Sequence, residues 1–196
     1  ERSSGTGVAG INNFNGASFC YNTGKVISTY KSDWAYGISG TGNNSVKLKN
    51  CFSYVAGEDI ALAPNTLADG KVTNSYYLAS SATAVSSAGE YATLSDFASG
   101  KVAWGVDGGT GKHENYWTQG SNNYPVPIGE GTSTSYYRAK AECGTGGSVS
   151  IKSSRNFTGD TDNAVYGPKG MSVTVTATPM DNTYALKSMT VQLPVG

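Results

Sequence analysis

The residues of this 196-residue chain that could support acid–base or nucleophilic chemistry are few and scattered. Glycoside hydrolysis, for example, needs two carboxyl groups on either side of the scissile bond. The only adjacent acids, Glu58 and Asp59, would point to opposite faces of a strand. The single histidine, His113, lies in a polar segment typical of a solvated turn. With neither a nucleophile elbow nor a zinc-binding spacing, the sequence predicts no catalytic residue, no cofactor and no enzyme activity.

One segment offers a candidate cation site. Residues 159–163 include Asp160 and Asp162, whose oxygens could reach a calcium ion, but they lack the glycine and the distant glutamate of an EF-hand loop. An aspartate-rich turn is the simpler interpretation. Neither a metal-binding pattern nor a dense disulfide framework matches the spacing of the three cysteines, Cys20, Cys51 and Cys143. We therefore predict no metal site.

Aromatic side chains are the better candidates for binding. The chain has 13 tyrosines and three tryptophans, whose flat apolar faces can stack on sugar rings. The candidate residues for contact with a glycan or another partner are Trp34, Tyr36 and Trp117. Trp34 and Tyr36 lie between two repeats, whereas Trp117 also fits a structural role in an aromatic cap. Because tyrosine-rich strands are common in β-proteins, a purely structural role for these rings stays open.

Composition favours strands and turns. The chain has 26 glycines and only 14% charged residues, which suits short strands joined by tight turns. Equal numbers of basic and acidic residues, 14 of each, give no attraction to nucleic acid or anionic lipid. No apolar run is long enough to span a bilayer. Since the chain opens on Glu1 without an initiator Met or a signal peptide, we expect a mature or excised fragment.

An internal repeat organises the first part of the chain. The tetrapeptide Gly-Val-Ala-Gly at 7–10 recurs as Gly-Ile-Ser-Gly at 37–40, a shift of 30. Cys-Tyr at 20–21 recurs as Cys-Phe at 51–52, a shift of 31, and a third copy follows at 74–76 after a shift of 24. One such unit cannot bury its own apolar face, whereas stacked copies can. The repeat therefore predicts three stacked coils of a parallel β-solenoid.

Stacking at this period aligns equivalent side chains into ladders. We expect a ladder of small side chains facing inward and a ladder of aromatic side chains on the opposite face. The small ladder contains Cys20, Cys51 and Ser75, and the aromatic ladder contains Tyr21, Phe52 and Tyr76. The two cysteines fit a stack of reduced, buried side chains. A disulfide between them is sterically allowed at this spacing and stays an alternative.

The periodicity changes after the repeats. Apolar residues spaced for one helical face predict one short helix over 93–106, with Thr93 or Ser95 as its N-cap. The aromatic and proline-rich segment 116–127 is expected to cap the last coil, whose sheet edge would otherwise be exposed. Small polar residues at 129–135 predict a linker. Beyond it, alternating apolar and polar residues predict strands around 137–143, 149–151, 171–177 and 189–193.

These motifs carry two resemblances to known modules. Gly-Val-Ala-Gly-Ile-Asn at 7–12, with Cys-Tyr-Asn-Thr-Gly-Lys-Val at 20–26, resembles the GLUG-type repeat found in surface proteins of gut and oral bacteria, over residues 5 to about 80. Gly-Ser-Val-Ser-Ile and the later Val-Thr-Val-Thr-Ala-Thr-Pro resemble a divergent InlB B-repeat module, over about 134–196. The first resemblance implies a bacterial surface protein. The second implies a spacer or an adhesive arm on a secreted protein.

The sequence thus predicts an all-β chain of two domains. Residues 1–130 would form a short parallel β-helix or solenoid with one short helix and a cap, and residues 134–196 a small β-rich module. The predicted function is that of a non-catalytic, adhesin-like or structural fragment of a bacterial protein that is secreted or held at the cell surface or cell wall. Its partner would be a host or matrix glycan or protein. The alternatives are a glycan-binding accessory module of a carbohydrate-active enzyme and a degraded β-helix hydrolase.

Overall fold

The computed structural model of the chain is rich in strands. It describes residues 8–11, 16–29, 35–40, 46–57, 60–64, 71–79, 89–110, 114–129, 135–155, 157 and 159–190. Within these ranges two short helices are formed, α1 (Leu94–Ser99) and α2 (Lys101–Val106). The strands are β1 (Val8–Ala9), β2 (Ala17–Ser18), β3 (Tyr21–Asn22), β4 (Ala35–Tyr36), β5 (Leu48–Lys49), β6 (Phe52–Ser53), β7 (Val72–Thr73), β8 (Tyr76–Leu78), β9 (Glu90–Ala92), β10 (Trp117–Gln119), β11 (Pro125–Pro127), β12 (Tyr136–Lys140), β13 (Gly147–Ser153), β14 (Ala164–Pro168) and β15 (Val173–Pro179). The prediction of a β-rich chain is confirmed.

The first nine strands pair in parallel with the equivalent strand of the next repeat. β2, β5 and β7 form one sheet, β3, β6, β8 and β9 form a second, and β1 pairs with β4. Tyr21 lies opposite Phe52, and Phe52 lies opposite Tyr76, so paired strands are 31 and then 24 residues apart. Both shifts match those read from the sequence. The predicted register of the aromatic ladder is confirmed, but Phe52 is fully buried on that face.

A left-handed backbone turn, which we call the corner, separates two consecutive strands at the same place in each repeat. Phe19, Asn50 and Asn74 have φ values of 55°, 56° and 47°. The N–H of Phe19 donates to the carbonyl of Lys49 at 3.0 Å, and the N–H of Asn50 donates to that of Thr73 at the same distance. Asparagine adopts this conformation readily, whereas a phenylalanine there is strained by about 1–2 kcal/mol. The corner is therefore a repeated structural unit with one unusual residue.

The small ladder lies immediately after this corner. Cys51 and Ser75 are fully buried and Cys20 is half-buried, so the predicted inward orientation is confirmed. Each side chain donates to the carbonyl two residues earlier: the Cys20 Sγ at 3.3 Å, the Cys51 Sγ at 3.2 Å and the Ser75 Oγ at 2.8 Å. The Ser75 hydroxyl also accepts the N–H of Cys51 at 3.1 Å. These bonds close the same turn in all three repeats.

The glycine-rich tetrapeptides do not pair in the register that their similarity predicted. Val8 lies opposite Ala35, a shift of 27 rather than 30. A Cβ at Gly10 would lie 2.7 Å from the carbonyl oxygen of Gly37, so these two glycines are neighbours. Glycine is needed wherever two backbones approach so closely. The recurring glycines therefore do indicate close packing between repeats, but the register inferred from them is wrong by three residues.

A fourth strand, β9, extends the second sheet beyond the three predicted copies. Tyr76 lies opposite Glu90 and Leu78 opposite Ala92, so the shift here is only 14 residues. The N–H of Glu90 donates to the carbonyl of Ser75 at 2.9 Å. This strand has neither the cysteine nor the asparagine of the earlier corners, which is why the repeat did not reveal it.

Two apolar clusters hold these sheets together. The first lies behind β2, β5 and β7 and contains Ala17, Ile38, Val46, Leu48, Cys51, Leu62, Ala63, Tyr77 and Ala79. The second joins the helices and β10 to the other sheet and contains Phe52, Leu78, Ala92, Phe97, Val102, Val106 and Trp117. Burying one large apolar side chain contributes about 1.5–3 kcal/mol. Strands of two or three residues therefore depend on this packing.

The predicted single helix is corrected to two. Thr93 caps α1 as expected: its hydroxyl accepts the N–H of Asp96, whose carboxylate accepts the N–H of Thr93 at 2.9 Å. Gly100 then adopts a left-handed φ of 90° and ends α1, and α2 begins at the next residue. A Cβ at Gly100 would collide with the ring of Tyr136. The glycine thus breaks the helix instead of merely weakening it.

The chain divides into two compact units, Glu1–Tyr137 with Gly167–Lys169 and Arg138–Tyr166 with Gly170–Gly196. This division follows the predicted linker by a few residues, and the second unit is discontinuous in sequence. β12 pairs with β14, and β13 pairs antiparallel with β15. The strands predicted around 149–151 and 171–177 correspond to β13 and β15.

Two features of this C-terminal part differ from expectation. β14 was not predicted, because its Gly167 and Pro168 are untypical of strands. The strand expected over 189–193 is not formed at 189–190, and its remaining residues lie outside the described part of the chain. Tyr184, Leu186 and Met189 are instead exposed. A small apolar cluster of Ala141, Ile151 and Val165 forms the interior of this unit.

Candidate functional site

The structure separates the three predicted binding residues. Trp34 lies outside the described residues. Tyr36 ends β4, where it is half-buried and its carbonyl accepts the N–H of Gly10 at 3.2 Å. Trp117 lies in β10 and is only 1% exposed. Its ring meets Phe52 edge-on, with the ring centroids 5.4 Å apart. Trp117 is therefore a core residue with no free face for a sugar, and its place among the candidates is corrected.

A neighbouring set of rings is exposed instead. Tyr116 is 54% exposed and Tyr21 is 41% exposed. The ring centroid of Tyr116 lies 4.4 Å from that of Phe19, and Tyr21 stacks on Phe52 at 5.3 Å with an interplanar angle of 15°. We call Phe19, Tyr21 and Tyr116 the aromatic surface. Tyr21 rests on the buried ring of Phe52, and Tyr116 rests on the half-buried ring of Phe19. Both tyrosine rings are therefore held in place while part of each stays exposed.

Asp107 positions Tyr116. It ends α2 and is fully buried, and its carboxylate accepts the N–H of Tyr116 at 2.7 Å and the N–H of Trp117 at 3.0 Å. Its carbonyl also accepts the N–H of Glu114 at 2.9 Å. A charged acceptor for two backbone donors is a strong anchor in a buried setting. Asp107 therefore fixes the backbone position from which the Tyr116 ring extends.

An ion pair borders the aromatic surface. The Lys49 Nζ lies 2.8 Å from the Glu114 Oε1 and 6.0 Å from the centre of the Phe19 ring. Both side chains keep water contact, so the pair adds at most about 1 kcal/mol to stability. Flat apolar rings beside charged hydrogen-bonding groups are the combination on which a sugar ring can stack while its hydroxyls are bonded.

The candidate cation segment is an aspartate-centred turn, as the simpler interpretation predicted. Asp160 Oδ1 accepts the N–H groups of Asp162 and Ala164, and Asp160 Oδ2 accepts the hydroxyl of Tyr166 at 2.8 Å. Burial, together with this hydrogen bond, raises the pKa of Tyr166. Asp162 pairs with Arg138 at 3.1 Å. The carboxylates already have partners, and no metal-binding group of three ligands occurs among the described residues.

The acidic and histidine residues considered for catalysis cannot be placed in the structure. Glu58, Asp59 and His113 lie outside the described residues. Two basic side chains elsewhere in the described residues make contacts of their own: Arg138 pairs with Asp162, and the Arg155 guanidinium lies 5.5 Å from the centre of the Phe157 ring. Both arginines thus have structural contacts.

Comparison with known proteins does not assign the chain to a family. No family model matches it, and the searches of curated proteins and of solved structures gave no significant similarity. No helix in the described residues is long and apolar enough to cross a membrane. The resemblances to GLUG-type and InlB B-repeat modules stay predictions.

Of the adjacent residues Tyr116 and Trp117, the one predicted to contact a partner is the buried one. Successive strand residues point to opposite faces, so one of two adjacent aromatic residues is expected to be buried and the other exposed. The larger ring, that of tryptophan, gains more from burial than the ring of tyrosine. Tyr21 was placed correctly in the ladder without being recognised as a surface residue. The role of Asp107 as an anchor was not predicted from the sequence.

Proposed function

We propose that this chain is a non-catalytic part of a bacterial protein that is secreted or displayed at the cell surface, where a rigid stack of β-solenoid coils presents the aromatic surface to a partner. The observation that carries the proposal is the corner repeated at Phe19, Asn50 and Asn74, which sets strands of successive repeats in parallel register. Repeated corners with in-register ladders are what a solenoid requires. Such a scaffold offers a fixed surface instead of a reactive cleft.

The engagement of the described acids supports a non-catalytic role. Asp107 binds two backbone amides, Asp96 caps α1, and Asp160 holds its own turn. Glu114 is paired with Lys49. A hydrolase would need two carboxyl groups facing one bond, one of them able to donate a proton. The carboxylates of Asp107, Asp96, Asp160 and Glu114 instead make hydrogen bonds or an ion pair that hold separate parts of the fold.

The resemblance to surface-protein modules supports an extracellular location. The in-register repeats of the first part suit the GLUG-type module, and the β13–β15 pair suits a small spacer of the InlB B-repeat type. A net charge of zero argues against a polyanionic partner. We therefore propose a host or matrix glycan or protein as the partner.

A glycan-binding accessory module of a carbohydrate-active enzyme is the second candidate function, and the aromatic surface favours it. Phe19 occupies a left-handed corner where the next two repeats have asparagine. A strained residue is tolerated where its side chain contributes something the relaxed residue could not. Here the Phe19 ring supports the exposed Tyr116 ring at 4.4 Å. The sequence therefore accepts local strain to build an aromatic surface.

A binding screen with matched tyrosine variants tests both functions. The purified chain would be applied to arrays of host glycans, plant glycans and matrix proteins, and each ligand found would be titrated against Tyr116→Ala. Losing one stacking contact should weaken binding about tenfold. Tyr91→Ala is the control, because Tyr91 is 47% exposed but belongs to β9 and not to the aromatic surface.

The outcomes separate the proposals. Binding to host or matrix ligands supports adhesion, whereas binding confined to plant polysaccharides supports an accessory module. Equal losses in Tyr116→Ala and Tyr91→Ala would place the site elsewhere. If the chain bound no ligand on any array, both proposals would be contradicted. Release of reducing sugar from a bound glycan would overturn the non-catalytic assignment. Antibody labelling of intact cells of the source bacterium tests the location.

A further inference from the structure

Cys20 and Cys51 occupy equivalent corners of adjacent repeats, and both are free thiols in this structure. We infer that they form a site of thiol–disulfide exchange, in which an external disulfide oxidises the pair to a Cys20–Cys51 disulfide that staples the first repeat to the second. The inference does not depend on what the aromatic surface binds.

The register places the two residues side by side. Ser18 lies opposite Lys49, and Tyr21 lies opposite Phe52, so the same shift of 31 holds on both sides of the cysteines. The N–H of Phe52 donates to the carbonyl of Cys20 at 3.1 Å. Neighbouring strands are about 4.8 Å apart, which lies within the Cα separation of roughly 4.4–6.8 Å that disulfides span. The backbone therefore needs little movement to close the bond.

The two thiols also face the same interior. Each donates to the carbonyl two residues earlier, Cys20 to Ser18 and Cys51 to Lys49, and these two acceptor residues are themselves paired. Cys20 packs against the buried cluster that contains Cys51. The third rung of the ladder is Ser75, so only one disulfide can form in this ladder.

Unequal burial sets the order of events. Cys20 is half-buried and reachable from solvent, whereas Cys51 is fully buried. The Cys20 thiolate attacks one sulfur of an external disulfide such as oxidised glutathione, and the first glutathione leaves as a thiolate. Cys51 then loses its proton, and its thiolate attacks the Cys20 Sγ and expels the second glutathione. Two protein thiols are oxidised while one glutathione disulfide is reduced to two thiols.

The second step should be slow at neutral pH. Burial, more than any other cause, raises the pKa of Cys51 to about 12. The reactive thiolate is therefore scarce at pH 7, and its fraction rises about tenfold for each pH unit. We expect the mixed disulfide on Cys20 to appear first and to resolve faster as the pH rises, up to the limit at which the fold persists.

The test uses the full chain carrying Cys143→Ser, which removes the exposed third thiol. After incubation with oxidised glutathione under native conditions, intact-mass spectrometry should show a product two mass units lighter and free of glutathione. Trypsin should then release residues 3–25 joined to residues 50–71 by a reducible bond. When Cys51→Ser is combined with Cys143→Ser, glutathione should remain on Cys20. In an added Cys20→Ser variant, the buried Cys51 should stay unmodified.

Other outcomes contradict the inference. A glutathione adduct in the protein with both cysteines that resolves no faster at about pH 9 than at about pH 7 would mean that Cys51 cannot reach Cys20. Linkage that appears only in urea would mean that the folded register forbids the bond. If Cys51 in the Cys20→Ser variant took up as much glutathione as Cys20 does in the Cys51→Ser variant, the proposed order of attack would be wrong. Because mass and peptide linkage are read directly, the result does not depend on any binding activity.

Discussion

The corner at Phe19 allows the repeat to be tested by making it more regular. Asn74 donates from its Nδ2 to the Asn50 Oδ1 at 3.2 Å, which begins an asparagine ladder across the corners. The ladder stops at Asn50, whose Nδ2 is buried with no hydrogen-bond partner among the described residues. Phe19 occupies the next position. Replacing it with asparagine should place an amide oxygen where the Asn50 Nδ2 can donate to it.

The magnitude is best taken from a comparison of Phe19→Asn with Phe19→Ala. Both variants lose the aromatic ring and its contact with Tyr116, so that loss cancels. Asparagine relieves about 1 kcal/mol of left-handed strain that alanine retains. It also supplies a hydrogen bond to a buried amide, which contributes about 1 kcal/mol. Phe19→Asn should therefore be about 2 kcal/mol more stable than Phe19→Ala, a difference of about thirtyfold in the unfolding equilibrium.

Urea unfolding followed by tryptophan fluorescence measures this difference. All three tryptophans precede residue 138, so the signal reports on the first unit. The Asn variant should unfold at higher urea than the Ala variant with an unchanged slope. If the two variants unfold at the same urea concentration, Phe19 does not share the corner geometry of Asn50, and the equivalence of the repeats is wrong. The same pair of variants also tests function, because both should lose ligand affinity equally.

Four further predictions follow from the contacts described. Ser75→Ala removes the hydroxyl that accepts the N–H of Cys51 and should cost about 1–3 kcal/mol in urea unfolding, whereas Ser75→Thr, which keeps the hydroxyl, should cost less. Asp107→Ala strands two backbone donors and should cost about 3 kcal/mol, with Asp107→Asn closer to wild type because it retains an acceptor; equal losses would refute the anchor. Although burial alone would raise the pKa of Asp96, hydrogen bonds from its capping threonine and a nearby lysine hold it below its usual range. Its folded pKa is thus below the unfolded one, so its stabilisation is present above about pH 4 and is lost as the pH falls below that, and a pH series of urea midpoints should show this dependence weakened in Asp96→Asn. Oxidation of Cys20 with Cys51 closes a loop of about 30 residues and should stabilise the first unit by about 3–4 kcal/mol, seen as a higher urea midpoint that dithiothreitol reverses.

The sequence was most informative where similar side chains recur because each makes the same hydrogen bond within its own repeat. A small donor followed by an aromatic residue gave Cys20, Cys51 and Ser75 the correct register, because each closes its own corner by bonding two residues back. The glycines failed as register marks for a non-local reason. Gly10 is required because the carbonyl of Gly37, just after another strand, lies against it, and the sequence alone does not show which glycine faces which.

The remaining errors have the same origin. The break at Gly100 depends on Tyr136, which packs against it from a distant part of the chain. The burial of Trp117 depends on Phe52 and on the anchor at Asp107, neither of which is adjacent to it in sequence. The β9 strand joins a sheet after a shortened repeat that lacks the earlier corner residues. Local patterns predicted the ladders, whereas packing between distant segments decided which aromatic side chains are exposed.

The register of the stacked strands is the claim on which the other proposals depend. It is tested most directly by NMR couplings transmitted through hydrogen bonds, which link an amide nitrogen to the carbonyl that accepts its proton. We expect a coupling from the Phe52 amide to the Cys20 carbonyl and from the Tyr76 amide to the Cys51 carbonyl. Couplings from these amides to any other carbonyls, or their rapid exchange with solvent, would contradict it.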